Sequence, residues 1–126
     1  FVQRLAGCQK SGHVLLFSTF LPGNLGEIRE LTGQGLVYPS AGQWRDWLSS
    51  LYDMEHIEES EIRLLFSSPK AVLRHLKETG VTGNHAEFWT PGRLRAFSAA
   101  YQERFGTVNQ QVTLTYRPLY VLAVRK

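Results

Sequence analysis

The feature that most constrains the fold is a nearly continuous apolar run over residues 13 to 20, HVLLFSTF. Turn-forming residues bound this run on both sides, with Ser11-Gly12 before it and Pro22-Gly23 after it. An unbroken apolar segment of this length is typical of a strand that is covered on both faces of its sheet. The run therefore predicts a central strand that ends at Phe20 and lies beside a partner strand encoded before Phe1.

Helix and strand signals alternate along the rest of the chain. A helix is predicted from Asn24 as N-cap to Gly33, and a second helix begins at the capping-box pair Ser40 and Gln43. Residues 54 to 66 read as a strand that is broken in two. Two more helices begin at Ser68-Pro69 and Thr90-Pro91. The last strand covers 112 to 126, with Pro118 predicted at an edge or a bulge. This order predicts a mixed α/β fold.

Composition narrows the function classes without selecting one. The chain has 126 residues, 43% of them hydrophobic and 20% charged, which suits a globular domain with one core. No apolar run approaches the roughly 20 residues of a membrane span. The single cysteine, Cys8, allows no internal disulfide, and we expect a buried thiol in a cytoplasmic protein. The net charge of +3 is spread along the chain, which favours an anionic partner weakly and does not indicate nucleic acid.

The sequence carries no self-sufficient catalytic apparatus. Phosphate-binding glycine loops, His-Glu-x-x-His, paired cysteines and the Ser-His-Asp order are absent, and no histidines pair at metal-ligand spacing. On the helix that follows Ser68, His75 and Lys77 flank the apolar face, whereas Arg74 points away from it. Cations in such positions either bind a carboxylate or phosphate or form a solvated face, and the pattern leaves both interpretations open.

The segment SPKAVLRHLKETGVTG, residues 68 to 83, resembles a stretch typical of the malonyl-carrier-protein O-methyltransferases of biotin synthesis, the BioC family. The flanking segments support the resemblance. Residues 16 to 20 followed by 24 to 33 resemble that family's fifth strand and the helix after it, residues 89 to 95 its late helix, and residues 114 to 126 its last strand. Nearly the whole chain is covered.

The resemblance implies an α/β fold that forms the C-terminal part of a Rossmann-like class I methyltransferase. The chain would supply the fifth, sixth and seventh strands of a seven-stranded mixed sheet, with lid helices inserted at about 34–52 and 68–106. In this family the earlier strands hold the methyl donor, S-adenosylmethionine. No residue here matches the donor-binding motifs, so none is assigned to the cofactor. Alone, the chain is expected to be inactive and to dimerise through the exposed edge of its sheet.

The resemblance also implies a reaction. The free carboxylate of a malonyl thioester on acyl carrier protein attacks the methyl group of the donor, and the ester then serves as a biotin precursor. Because a carboxylate is already ionised at neutral pH, the enzyme needs no general base and works by orienting and desolvating the reactants. We identify no catalytic residue and no metal ligand.

Candidate contacts follow from position within the resemblance. We expect Phe20 at the end of the fifth strand to line the substrate site, and the further substrate-side candidates are Tyr38, His75, Lys77 and Trp89. The segment around Tyr38, Val37-Tyr38-Pro39-Ser40, departs from the family's more usual aromatic pair. The candidates for binding the acidic surface of acyl carrier protein are Arg74, Arg93 and Arg95.

Two alternatives remain open at this stage. Related methyltransferases that act on other small carboxylic acids share the sheet and differ in the lid. A noncatalytic module that binds an acidic partner would also fit the mild positive charge.

Overall fold

The computed structural model describes residues 1–33, 35–80 and 90–126. The chain forms two compact units, one made of Phe1–Asn24, Leu36–Ile62 and Tyr116–Lys126, the other of Leu25–Gly35 and Arg63–Thr115. None of the helices in the described residues has the length and apolar character that a membrane crossing requires.

Helices and strands follow the predicted α/β order, except that the segment over 112 to 126, which was predicted as one last strand, forms two strands that belong to different sheets. The helices are α1 Val2–Gly7, α2 Gly26–Thr32, α3 Ala41–Ser49, α4 Pro69–Glu78 and α5 Pro91–Phe105. The strands are β1 Val14–Phe20, β2 Tyr52–Glu59, β3 Ile62–Phe66, β4 Val112–Tyr116 and β5 Pro118–Arg125. The predicted break in the strand over 54 to 66 is confirmed, since β2 and β3 belong to different sheets.

The sheet of the first unit has the strand order β1-β5-β2. The last strand of the chain, β5, is antiparallel to both neighbours, so β1 and β2 run in the same direction. Phe20 at the end of β1 pairs with Pro118 at the start of β5, and Ser18 pairs with Tyr120. In the numbering of the predicted sheet, this order places the seventh strand between the fifth and the sixth.

The core of the first unit lies where α1 and α3 pack on one face of this sheet. Leu48 of α3 is completely buried, and Tyr52 and Val121 of the strands beneath are each 1% exposed. The ring centroids of Phe17 and Trp44 are 5.1 Å apart, which joins β1 to α3. The capping box predicted at Ser40 is confirmed, because Ser40 Oγ accepts from the Gln43 amide at 3.2 Å and Gln43 Oε1 accepts from the Ser40 amide at 2.9 Å.

The opposite face of the sheet is open among the described residues. Leu16 is 73% exposed and Val14 is 59% exposed, although both are apolar. Successive side chains of a strand point to opposite faces, and α1 and α3 cover only the face that carries Leu15 and Phe17. The prediction that β1 is covered on both faces is therefore wrong for the described part of the chain.

The second unit contains α2, α4, α5, most of β3, and β4 up to Thr115. Its buried apolar side chains come from the helices and from β4, namely Val72, Leu76, Phe97, Tyr101, Val112 and Leu114. Both predicted N-caps are confirmed, since the hydroxyls of Ser68 and Thr90 accept from backbone amides three residues later, at 3.2 and 3.1 Å. Ser68 and Thr90 therefore fix where α4 and α5 begin.

A buried carboxylate joins α2 to β4 within the second unit. Glu27 is 5% exposed, and its side chain accepts three hydrogen bonds. The donors are the amide and hydroxyl of Thr115, at 3.0 and 2.8 Å, and the hydroxyl of Thr113, at 3.0 Å. Nearby, the Tyr101 hydroxyl donates to the carbonyl oxygen of Thr113 at 2.6 Å. Each acceptor oxygen of Glu27 is thus satisfied without water.

Three local predictions are wrong, each because of its surroundings. Asn24 does not cap α2. Leu25 is the N-cap in a left-handed conformation with φ 52°, and the Asn24 side chain accepts from the Arg117 amide instead. Pro118 is the first residue of a central strand, where the missing amide hydrogen is tolerated. Cys8 is exposed, because the turn that ends α1 lies at the surface.

Candidate functional site

The C-terminal end of β1 brings three aromatic rings together. The Phe20 ring lies 5.9 Å from the Tyr38 ring in an edge-on arrangement and 5.8 Å from the Tyr116 ring in a tilted one. We call these three residues the aromatic cluster. The sequence predicted Phe20 and Tyr38 as substrate-side residues, and the structure places them in contact. Aromatic pairs at this separation hold one another's orientation and offer an apolar surface.

Backbone hydrogen bonds fix the chain on both sides of the aromatic cluster. The Leu21 amide donates to the Arg117 carbonyl oxygen at 2.7 Å, and the Arg117 amide donates to Asn24 Oδ1 at 2.8 Å. Asn24 is 9% exposed, so this second bond is shielded from water. The loop that leaves β1 is thereby tied to the residues between β4 and β5, and the position of Phe20 relative to Tyr116 is set by main-chain geometry.

A cleft of about 280 Å³ opens beside Phe20. We call it the Phe20 cleft; the described residues that line it are Ser18, Thr19, Phe20, Ile62, Tyr116, Pro118 and Tyr120. None of these side chains is charged at neutral pH, and four of them carry a hydroxyl group. Ser18 and Tyr120 are cross-strand partners, so their hydroxyls lie on the same face of the sheet. The cleft therefore combines apolar walls with neutral hydrogen-bonding groups.

The electrostatic setting of the Phe20 cleft keeps it neutral. Burial raises the pKa of the Tyr116 phenol, so this side chain stays protonated at physiological pH. The nearest cation along the chain is Arg117, whose Nε lies 3.8 Å from a carboxylate oxygen of Glu61. Its guanidinium faces a second, more polar cavity of about 400 Å³, which Glu59 and Glu61 also line. The local positive charge is thus balanced by carboxylates outside the cleft.

Two further substrate-side candidates lie in the second unit, on α4. The His75 ring packs at 5.0 Å from the Phe66 ring and is half-buried, whereas Lys77 is exposed. As the helical spacing predicted, Val72 and Leu76 are buried on the apolar face. The last candidate, Trp89, lies outside the described residues. The described ranges also hold no cluster of three or more His, Cys, Asp or Glu side chains placed to bind a metal ion.

Comparison with known proteins gives one consistent result. A malonyl-acyl-carrier-protein O-methyltransferase of Porphyromonas gingivalis is 48% identical over 125 residues, 98% of this chain and 49% of that protein. Proteins of the same name from Haemophilus ducreyi and Prosthecochloris aestuarii are 43% and 41% identical over 100% and 95% of the chain. The chain is homologous to about half of these methyltransferases. No protein-family profile matches it.

The mixed helices and antiparallel strands agree with the C-terminal part of the class I methyltransferase fold that the resemblance implied. The chain spans about half the length of the relatives that it matches, at 49% and 48% for the two first compared.

The cationic candidates of the chain are exposed. Arg74 lies on α4, and Arg93 and Arg95 lie in the first turns of α5. The prediction that Arg74 points away from the apolar face of its helix is confirmed by its exposure. Exposed guanidinium groups of this kind act on a charged macromolecule at a distance more readily than on a small ligand in a cleft.

Sequence reasoning missed six of the seven described residues that line the Phe20 cleft, all except Phe20. Ile62, Tyr116, Pro118 and Tyr120 belong to strands far from Phe20 in sequence, and pairing of β5 with β1 brings Pro118 and Tyr120 to the cleft. Two signals were available. The proline at position 118 marks a break in the last strand, and aromatic residues stand two positions before and two positions after it. Because Pro118 at the start of β5 pairs with Phe20 at the end of β1, aromatic side chains at positions 116 and 120 lie close to Phe20.

Proposed function

We propose that the chain is the C-terminal, substrate-side part of an O-methyltransferase that methylates the free carboxylate of a malonyl thioester on acyl carrier protein, in the synthesis of a biotin precursor. The observation that carries this proposal is 48% identity, over 98% of the chain, to a protein named for that activity. The aromatic cluster and the Phe20 cleft supply a candidate place for the acceptor. No observation favours a noncatalytic module or a different small carboxylic acid.

The chemistry needs little from titratable side chains. The acceptor carboxylate is ionised at neutral pH, so the residues around it have to orient it and exclude water rather than remove a proton. S-adenosylmethionine is the proposed donor and supplies an electrophilic methyl group when it is bound. We assign no donor-binding residue to this chain, because its sequence holds neither a glycine-rich loop nor an acidic strand end that matches the donor motifs.

Each of the two units has its own proposed residue roles. Phe20 and Tyr38 are proposed to contact the acceptor at the end of β1, where their rings meet. His75, Lys77 and Trp89 remain proposed substrate-side contacts. The proposed lid insertions cover about 34–52 and 68–106. Arg74, Arg93 and Arg95 are the proposed contacts to acyl carrier protein, and charge reversal at these positions is expected to slow association more than the chemical step.

The isolated chain is proposed to associate with itself. In the described part of the sheet β1 has β5 as its partner and no strand on its other side, and the exposed Leu16 and Val14 lie on the open face. Unpaired strand edges and exposed apolar faces are sites of pairing with another copy. We also propose a cytoplasmic location, which the single cysteine supports.

The test is methyl transfer by the full-length protein that carries this segment. Tritium-labelled donor is incubated with malonyl-acyl carrier protein, with free malonate, or with other dicarboxylates, and label in the methyl ester is counted. The proposal expects label on the carrier-bound acceptor at a kcat/KM at least a hundredfold above that for free malonate. Equal rates on free dicarboxylates would contradict the assigned acceptor, and the absence of transfer to any carboxylate would contradict the activity.

A further inference from the structure

We propose that the Phe20 cleft binds the malonyl group itself, and that it does so through neutral hydroxyl groups and apolar walls rather than through a cation. This inference rests on the proposed function and assigns its acceptor subsite. It adds Ser18, Tyr120 and Ile62 to the substrate-side residues. It assigns the malonyl carboxylate no contact with Lys77, the cation that the sequence pattern suggested.

The charge balance of the reaction is the first step of the argument. One carboxylate oxygen forms a bond to the methyl carbon while the sulfur–methyl bond breaks and its electron pair stays on sulfur. The negative charge of the carboxylate and the positive charge of the sulfonium both disappear, and no proton is transferred. The transition state therefore carries less charge than the reactants.

A site for such a reaction should not hold the carboxylate with a full positive charge. A cation beside the carboxylate would stabilise the reactant state more than the transition state, and would tighten binding at the expense of kcat. Hydroxyl groups also orient a carboxylate, but they stabilise the ionised reactant less than a cation does. Apolar walls exclude water from it, which raises its reactivity further.

The Phe20 cleft has the composition that this argument requires. Its described lining contains hydroxyl groups from Ser18 and Tyr120 on one face of the sheet, with Phe20 and Ile62 as apolar walls. Ser18 is exposed and Tyr120 is 38% exposed, so an incoming ligand reaches both. At about 280 Å³ the cleft is at the lower end of the size range for small-molecule sites, about 300–1,000 Å³, which suits a three-carbon acyl group.

The decisive variant introduces the missing charge. Ile62 is 42% exposed, so Ile62→Lys places an ammonium group at the cleft without burying it. Leu65 is also on β3, is 54% exposed and is not among the described lining residues, which makes Leu65→Lys a matched control for added charge. Both are made in the full-length protein, and kcat and KM for malonyl-acyl carrier protein are compared with those of the unmodified protein.

We expect Ile62→Lys to lower both KM and kcat by about threefold relative to Leu65→Lys, with a smaller change in kcat/KM. Tyr120→Phe and Ser18→Ala, each with an unchanged unfolding midpoint, are expected to lower kcat/KM by about threefold to tenfold. Equal kinetics for the two lysine variants, or a higher kcat for Ile62→Lys, would overturn the neutral-cleft assignment. An unmodified protein that transfers no methyl group to malonyl-acyl carrier protein would instead overturn the proposed function.

Discussion

Removing the Glu27 carboxylate is predicted to destabilise the second unit strongly. In the structure this side chain is 5% exposed and accepts from the Thr115 amide, the Thr115 hydroxyl and the Thr113 hydroxyl. Glu27→Ala leaves a buried amide without a partner, and leaving a buried donor unsatisfied costs about 1–3 kcal/mol. The two threonine hydroxyls can rotate towards other acceptors and add less, so the expected total is about 3 kcal/mol.

Glu27→Gln tests the charge separately from the shape. The amide keeps one acceptor oxygen for the Thr115 amide, and its nitrogen can donate to a threonine hydroxyl that turns to accept. The expected cost is about 1 kcal/mol, the difference between a charge-assisted and a neutral hydrogen bond.

The matched control is Glu30 on the same helix. It is about half exposed and forms an ion pair with Arg104, and exposed pairs of this kind contribute at most about 1 kcal/mol. Urea unfolding followed by circular dichroism, with a constant m-value, gives the free energy of unfolding for the variants Glu27→Ala, Glu27→Gln, Glu30→Ala and Glu30→Gln. If Glu27→Ala and Glu30→Ala differ by less than about 0.5 kcal/mol, the three hydrogen bonds do not hold α2 to β4 as argued.

Two further predictions concern alkaline pH and self-association. Burial, and to a smaller extent the neighbouring Glu27 carboxylate, raise the pKa of the Tyr101 phenol above its usual range. The folding stability that depends on the protonated phenol is therefore complete below about pH 10 and is lost as the pH rises further. Tyr101→Phe should therefore flatten the fall in urea midpoint between about pH 9 and 11, and an unchanged slope would show that Tyr101 is not responsible. The isolated chain should sediment as a dimer or larger species, and Leu16→Lys should shift it towards the monomer. The control Arg45→Ala, at an exposed position on α3, should leave the sedimentation unchanged. A monomeric unmodified chain would contradict the association.

Local signals in the sequence predicted the helices well because their causes are local. The hydroxyls of Ser40, Ser68 and Thr90 each cap a helix through an amide only three residues away. The same physics fails where a distant group competes. Asn24 is a good N-cap by type, but the Arg117 amide takes its side-chain oxygen, and α2 begins two residues later. A capping rule contains no information about a donor at the other end of the chain.

The candidate site was only half predictable for a related reason. Phe20 and Tyr38 were expected from the family resemblance, and their rings meet. Tyr120 reaches the same cleft because β5 lies beside β1, and Tyr116 and Ile62 reach it from β4 and β3. Strand order depends on pairing between segments at opposite ends of the chain, and neither alternation nor turn residues encode which strands become neighbours.

The proposed roles place the exposed cations in recognition and the neutral cleft in chemistry. Arg74, Arg93 and Arg95 are exposed, where water and salt weaken pairwise attraction but leave the field through which these residues are proposed to attract an acidic carrier protein. The same guanidinium groups inside the Phe20 cleft would hold the malonyl carboxylate too firmly in its ionised form, because the reaction must abolish that charge. The proposed cationic surface for the carrier and the proposed neutral cleft for its cargo therefore serve opposite electrostatic requirements. Adding a single positive charge to the cleft, as in Ile62→Lys, should trade turnover for binding.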